Sequence, residues 1–478
     1  MQLPRLKTLS DGDISKIHEA SVRVLWETGI VVGSEKALKL LAQAGARVDF
    51  QKRLVKIPPR LVEETLTSLP SEITLYNTRS KQPAFTLDGA SSHMVAGSDA
   101  LFFLDFETGE HRLITKKDVA QFTTIADALE NIDMVGCAGM PQDVPRKAAA
   151  LHGAETVFNN TEKPLVFPHE APEVTRAVFE IARVVGEEED LSQHPILICL
   201  LSPTSPLSWT PGAADALIET AKCGVPCIIL PQPYSGVTAP LTLAGLLTVN
   251  NVEFLSSVVI SQLVNKGTPI IYGQAWTTFD MRTATVLMAS PESSLSKIAG
   301  KQLAKFYKIP AFSTGLNSDA PCLDIQDGWE NAISGFAVLY SAMDLIADFG
   351  LTNTCLIASN EQLVIDNEIL GILRRIEKGI EVSPETIAVD VINKVGPKGN
   401  YLMEEHTLRY LRTEEHWESI ISNHLNYEMW TKKGSPDAKK NAKERAKQIL
   451  KTHNPKSLDE NKQKEITLIL EKFESEQK

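Results

Sequence analysis

PCIILPQPYSGVTAPLTLAGLLTVNNVEFLSSVVISQLVNKG, residues 226–267, is the stretch whose reading decides the fold. Residues 227–230 form a short apolar run bounded by prolines, which reads as a strand buried on both faces. A polar and aromatic loop follows at 231–239. Then comes a long, mostly apolar helix, with Thr238 as its cap, Pro240 in its first turn and Gly267 at its end. Strand, loop and helix in that order are the unit of an α/β barrel, where the loop after a strand's C-terminal end faces the active site. Gln232, Tyr234 and Ser235 are therefore placed to touch a substrate.

Working outward, the same alternation recurs. Further strand patterns fall at 134–138, 165–168, 196–201, 269–273, 311–314 and 355–359, most of them separated by helical patterns. Alternation at this spacing predicts a parallel sheet. With 227–230 that makes seven strands, and the eighth comes from 94–105 or from the neighbourhood of 276–280. The pattern alone also admits a doubly wound open sheet. No G-x-G-x-x-G or Walker A sequence follows a strand, so the usual nucleotide-binding signature of such a sheet is missing. Upstream, helices are predicted at 10–29, 35–44 and 60–68. Short strands are predicted at 73–76, 84–87 and 111–114, with a turn at 107–110. The expected fold class is α/β, a doubly wound sheet or a TIM (β/α)8 barrel, the latter favoured, with an N-terminal α+β extension and a C-terminal helical extension. The expected divisions are 1–115 for the N-terminal extension, 116–380 for the barrel core, 381–432 for a helical segment packed on it, and 433–478 for a charged helical tail that is mainly solvated.

The 478 residues are 43% hydrophobic and 23% charged, enough for a sizeable core. A formal net charge of -12 argues against general nucleic-acid binding, which needs clustered cations. The N-terminus, MQLPRLKTLSDGD, has no apolar signal-peptide core. The apolar stretch at 239–264 is interrupted by Asn250, Asn251 and Glu253, which argues against a membrane span. A cytoplasmic protein is expected. The six cysteines sit mostly in or beside apolar runs and read as reduced, buried thiols. Cys223 and Cys227 are spaced C-x3-C, but a structural zinc site needs four ligands and no further Cys or His lies close by in sequence.

Pro-x-x-Tyr-Ser-Gly-Val-Thr-Ala-Pro-Leu-Thr-Leu-Ala-Gly at 231–245, followed by Asn251-Val252-Glu253, closely resembles the trimethylamine methyltransferase (MttB) family. Segments 97–115, 202–207, 280–292, 323–330 and 359–366 carry the same resemblance, which spans roughly residues 1–430. It implies a TIM-barrel enzyme that moves a methyl group from a methylated amine to a cob(I)amide on a partner corrinoid protein. On that basis the chain itself holds no tightly bound cofactor and no metal, and cobalamin is supplied by the partner. The founding enzyme of the family carries pyrrolysine, whereas this chain has only standard residues. It therefore resembles the non-pyrrolysine branch, which acts on quaternary amines such as glycine betaine, proline betaine or carnitine. A homo-oligomer is expected.

The chemistry agrees with that branch. A quaternary ammonium has no N–H, so aromatic faces and diffuse negative potential must recognise it. Its methyl is transferred by in-line displacement and the neutral amine leaves without a proton. No general acid is needed, and none is assigned. Tyr234 and Trp276 are proposed as faces of an aromatic cage, with Gln274 beside Trp276 and Phe312 inside the strand at 311–314. His169 and Glu170 follow the strand at 165–168 and would orient a polar group or touch the corrinoid. Capping of the next helix is an equal role for Glu170. Asn317 follows the strand at 311–314. Asp324 reads equally as a helix cap, and Gln326 and Glu330 share one helix face at i and i+4. The carboxylate of a betaine would be held by Arg282, by His169 or by backbone N–H groups at a helix start; Arg282 is the first choice, with a salt bridge to Asp280 an equal role for it. Glu361 and His406 are weaker candidates, and His406 reads first as structural. Two rivals remain: another barrel enzyme, such as a lyase or zinc-dependent methyltransferase, and a quaternary-amine binding protein without catalysis.

Overall fold

The structure is a computed structural model that describes residues 5–168, 171–275, 277–413 and 415–477. Eight parallel strands close a barrel: His93–Ala96 (β1), Met134–Gly136 (β2), Leu165–Pro168 (β3), Leu197–Leu201 (β4), Cys227–Ile229 (β5), Ile270–Gln274 (β6), Ala311–Thr314 (β7) and Leu345–Phe349 (β8). Strand β8 pairs with β1 and β1 with β2, so no edge is left open. The surrounding helices are Lys116–Ala128 (α1), Ala149–Asn160 (α2), Pro172–Gly186 (α3), Pro211–Lys222 (α4), Leu243–Val264 (α5), Pro291–Phe306 (α6), Ile325–Tyr340 (α7) and Asn360–Lys378 (α8).

Two strands differ from the sequence reading. The run at 94–105 divides at Gly97, which has φ 74°, into β1 and a separate strand Phe102–Leu104. β1 is the eighth barrel strand, so the barrel begins upstream of the 115/116 boundary. Residues 277–280 do not supply it, because Thr277–Asp280 joins a small outer sheet with Tyr234–Ser235 and Thr285–Leu287. The predicted strand at 355–359 is also outside the barrel. Ile357–Ser359 pairs with Phe102–Leu104, and β8 takes its barrel position.

The hairpin Ile73–Tyr76 and Pro83–Leu87 closes the N-terminal end of the barrel. Its loop bonds to the segments entering β3 and β4, through Thr78 N–H to the Glu162 carbonyl and Tyr76 N–H to the Pro195 carbonyl. Ile73, Leu75 and Leu87 join the interior cluster with Val95, Met134, Val166, Ile198, Ile228, Ile271 and Leu345. Only the C-terminal end is left to receive a ligand.

Helix α5 begins at Leu243, after Thr242, rather than at Thr238; the Thr238 hydroxyl accepts the Tyr234 N–H at 2.7 Å within the loop. The helix ends at Val264, capped by Asn265 rather than by Gly267. It is long and apolar enough by composition to cross a membrane, yet 72% of its most apolar window is buried. The reason is that it lies between the barrel and the N-terminal helix Asp11–Glu27, and a helix covered on both sides is apolar all round.

The C-terminal segment is not a solvated tail. Ala438–Thr452 (α9) packs on α8 and α1, burying Ala442, Ala446 and Ile449. Glu460–Glu476 (α10) packs on α3, burying Ile466, Leu470 and Phe473. Three apolar residues at helical spacing suffice to dock each helix, although the composition is dominated by charge. Replacing Leu470 by alanine is expected to cost about 2 kcal/mol. Urea unfolding of the full chain measures it, and an unchanged midpoint would mean that α10 is not docked. The segment 381–432 rests on α8 through Trp417, Ser419 and the Ile420 N–H; its four short helices bury no residue of their own.

Candidate active site

Along each barrel strand alternate residues face inward. At the C-terminal end the inward row, which includes Leu200, Leu230, Ala275, Phe312 and Thr314, opens into a cavity of about 520 Å³. A second cavity of about 340 Å³ adjoins it, sharing Ser98, Asp99, Leu200, Leu230 and Gln232 and adding Met140, Pro168 and Ser202. Such volumes suit a small-molecule site. Tyr234 enters from the loop after β5, and its backbone is fixed by pairing of Tyr234–Ser235 with Thr277 and Thr278.

Two carboxylates reach this cavity. Asp348 gets there through a bulge. Leu345 and Ala347 face inward, but the β8–β1 register shifts between Ile346 and Phe349. Asp348 takes φ 78°, which turns its side chain into the mouth. The carboxylate accepts from Asn317 Nδ2 at 3.2 Å and from the Cys355 thiol at 3.3 Å. Behind the wall Lys297, fully buried in α6, donates to Asn317 Oδ1 at 2.6 Å and to the Met288 carbonyl at 3.4 Å. Burial pushes the Asp348 carboxyl up and pulls the Lys297 ammonium down, and the attraction between them opposes both effects. The Cys355 thiol is raised well above its ordinary range by burial and by Asp348, so it serves as a neutral donor.

Asp99 follows β1. It meets solvent through the cavity yet is ringed by protein, and desolvation pushes its carboxyl upward. Its side-chain partner is the Ser98 hydroxyl at 3.2 Å. One rim of the cavity is Asn353, Thr354 and Cys355, three successive residues with φ of 51°, 55° and 63°. Left-handed backbone at non-glycine residues is costly and is held by its surroundings. Here Asn353 N–H donates to Ala320 and Thr354 N–H to Ser318. Asp319 ties this rim to the opposite wall, accepting from Met288 N–H at 2.9 Å, Ala289 N–H at 3.0 Å and the Thr354 hydroxyl at 3.1 Å.

Of the residues read from sequence, Tyr234 and Phe312 line the cavity, with Phe312 also part of the interior core. Asn317 stands directly behind it. Glu330 acts one step further out: it accepts from Asp319 N–H at 2.8 Å and the Ser318 hydroxyl at 3.1 Å, and Gln326 donates to it at 2.9 Å. Asp324 caps α7, accepting from the N–H groups of Gln326 and Asp327. Gln274 does not reach the cavity. It falls on the outward row of β6 and packs against Gly300 of α6, where an added Cβ would lie 2.2 Å from its amide carbon. Arg282 is also elsewhere; its side chain is 91% exposed on an outer hairpin turn and pairs with Asp280 at 3.3 Å. His406 lies in the 381–432 segment, within 3.2 Å of the Glu385 carbonyl and outside both cavities. Glu361 sits in the first turn of α8, accepting from the Ser359 hydroxyl at 3.2 Å. His169, Glu170 and Trp276 fall outside the described residues. Sequence reasoning did not single out Asp99, Asp348, Lys297 or Cys355. A lone acid inside the apolar run LIADF was the available signal for Asp348.

All six cysteines are free, and among the described residues no three His, Cys, Asp or Glu side chains group as a metal site.

Residues 1–476 match the family described as trimethylamine methyltransferase (MTTB). The chain is 34% identical over 472 residues to trimethylamine methyltransferase MttB of Desulfitobacterium hafniense, covering 98% of this chain and 95% of that one. It is 30% identical over 460 residues to a glycine betaine methyltransferase of the same species, covering 96% and 95%. Among solved structures it is similar to the Methanosarcina barkeri monomethylamine methyltransferase MtmB, with a TM-score of 0.54 at 12% identity, covering 93% of this chain and 88% of that one. At that identity the likeness concerns the fold.

Proposed function

The chain belongs to the trimethylamine methyltransferase (MttB) family, and from that premise we propose that it moves a methyl group from a quaternary amine to the Co(I) of a corrinoid carried by a partner protein. The observation that supports this reading is the mouth cavity, whose lining includes the aromatic rings of Tyr234 and Phe312 and the carboxylates of Asp99 and Asp348. Aromatic faces and negative potential are what a cation without N–H groups requires. The chain contains standard residues only, and a glycine betaine methyltransferase stands among its relatives; both favour a quaternary over a tertiary amine.

The part played by the chain is positional. Tyr234 and Phe312 hold the ammonium so that one methyl points out of the mouth toward the incoming nucleophile. As that methyl leaves, the C–N electron pair stays on nitrogen and the product is a neutral tertiary amine. No proton is consumed, so the wall needs no acid at the reacting atoms. The neutral Asn317 amide and Cys355 thiol serve instead to hold Asp348 in place.

The test mixes the purified chain, its cognate corrinoid protein in the Co(I) state and a panel of methylated amines, and follows methylation of the corrinoid by its visible spectrum. Turnover of a quaternary amine but not of trimethylamine is the expected result; no turnover of any quaternary amine would overturn the reading. Tyr234→Ala is expected to lower kcat/KM about 10- to 30-fold, the worth of a desolvated cation–π contact. Tyr234→Phe should retain most of the activity, because the ring and not the hydroxyl faces the cation. Equal losses in both variants would assign the role to the hydroxyl.

A further inference from the structure

Resting on the reading above, we propose that the quaternary amine taken by this site is a net cation that carries no carboxylate, a trimethylammonium head with a short neutral or hydroxylated tail. The two adjoining cavities are lined by Asp99 and Asp348, and among the described lining residues there is no lysine or arginine. A betaine is a zwitterion, and its carboxylate lies only a few bonds from its ammonium. Seating the head between Tyr234 and Phe312 would bring that carboxylate into the same mouth as the carboxylates of Asp99 and Asp348, where like charges repel.

Neither Arg282 nor Lys297 relieves this. Arg282 is turned to solvent and paired with Asp280. Lys297 is buried behind the wall, donates to Asn317 and the Met288 carbonyl, and balances Asp348. Asp99 has no such counter-charge among the described lining residues, and its recorded side-chain partner is the neutral Ser98 hydroxyl. A net cation supplies the missing charge; a zwitterion supplies it and then opposes it. The second cavity suits the tail of such a cation. Beyond Asp99 its polar lining is neutral, with Ser98, Ser202 and Gln232 able to meet a hydroxyl group.

The experiment measures binding of tetramethylammonium, choline, glycine betaine and carnitine to the purified chain by calorimetry, alongside the corrinoid methylation assay on the same four compounds. Choline and tetramethylammonium are expected to bind at least tenfold more tightly than glycine betaine, whose head is the same size as that of choline. Asp99→Asn, checked for folding by its thermal transition, is expected to weaken choline about tenfold and to leave glycine betaine unchanged or improved. Betaine binding and turnover equal to or better than those of choline would overturn this inference and leave the quaternary-amine reading intact. Failure of all four compounds in both assays would overturn the two together.

Discussion

Replacing Lys297 by methionine is expected to destabilise the protein by about 3–5 kcal/mol, the usual cost of leaving one partner of a buried pair without the other. Lys297 is fully buried in α6 and holds Asn317 Oδ1 at 2.6 Å, while the other end of that amide donates to Asp348. Methionine fills the volume of the stem but removes the charge and the donor. Asp348 would then face the cavity with only neutral donors and would take up a proton. Two readouts should move together: the denaturation midpoint and the affinity for a quaternary ammonium. The double variant Lys297→Met with Asp348→Asn removes both charges and is expected to recover much of the stability but not the affinity. A double variant no more stable than Lys297→Met alone would show that the lysine acts through packing and not through charge.

Stability is expected to fall as pH rises from about 4.5 to 7, because several buried carboxyls, Glu253 and Asp366 among them, are pushed upward by desolvation. Glu253 is buried in α5, and its carboxylate accepts the Ser205 hydroxyl at 2.7 Å and Leu207 N–H at 2.8 Å, fixing the loop after β4. Desolvation outweighs these two bonds and pushes its carboxyl up to about 7. Asp327, raised to about 6 chiefly by burial, acts in the same direction. A carboxyl raised in the folded state binds its proton more tightly there than in the unfolded chain. Its contribution is therefore complete below the unfolded value and is lost as pH climbs through the folded one. For Glu253 the difference amounts to roughly 3 kcal/mol at full extent. Below about pH 4 the trend reverses, because Asp105 and Asp118, paired with Arg112, are held low and lose those pairings on protonation. Urea midpoints of the parent chain and of Glu253→Gln across pH 4.5 to 8 test this. The variant should show a flatter profile, and an unaltered slope would remove Glu253 from the account.

The barrel was legible because most of its strands are short apolar runs with turn residues on either side. Residues 165–168 and 311–314 were bounded as the structure has them, and 227–230 to within a residue. Strand β8 was missed for a physical reason. Asp344 and Asp348 flank and interrupt its short apolar run, where a buried strand would be expected to carry no charge. Both are in fact buried, with Asp344 paired to Lys301 and Asp348 held by Asn317 and Cys355. Nothing local announces partners that are 43 and 31 positions away in the chain. The docking of α9 and α10 was hidden in the same way, by charged residues that outnumber the three apolar anchors of each helix.

By itself the sequence determined the alternation of strands and helices, the loop that carries Tyr234, and the family resemblance, because each is written in contiguous residues. Tertiary structure decided the site. Strand closure brought Asp99, after β1, to the same cavity as Asp348 of β8, two residues separated by almost the whole barrel in sequence but joined because β8 pairs with β1. A register shift of that same pair turned Asp348 into the mouth, whereas strict alternation pointed Gln274 away from it. Which way a side chain faces at a strand's end depends on register and bulges, and these are set by pairing between strands distant in the chain.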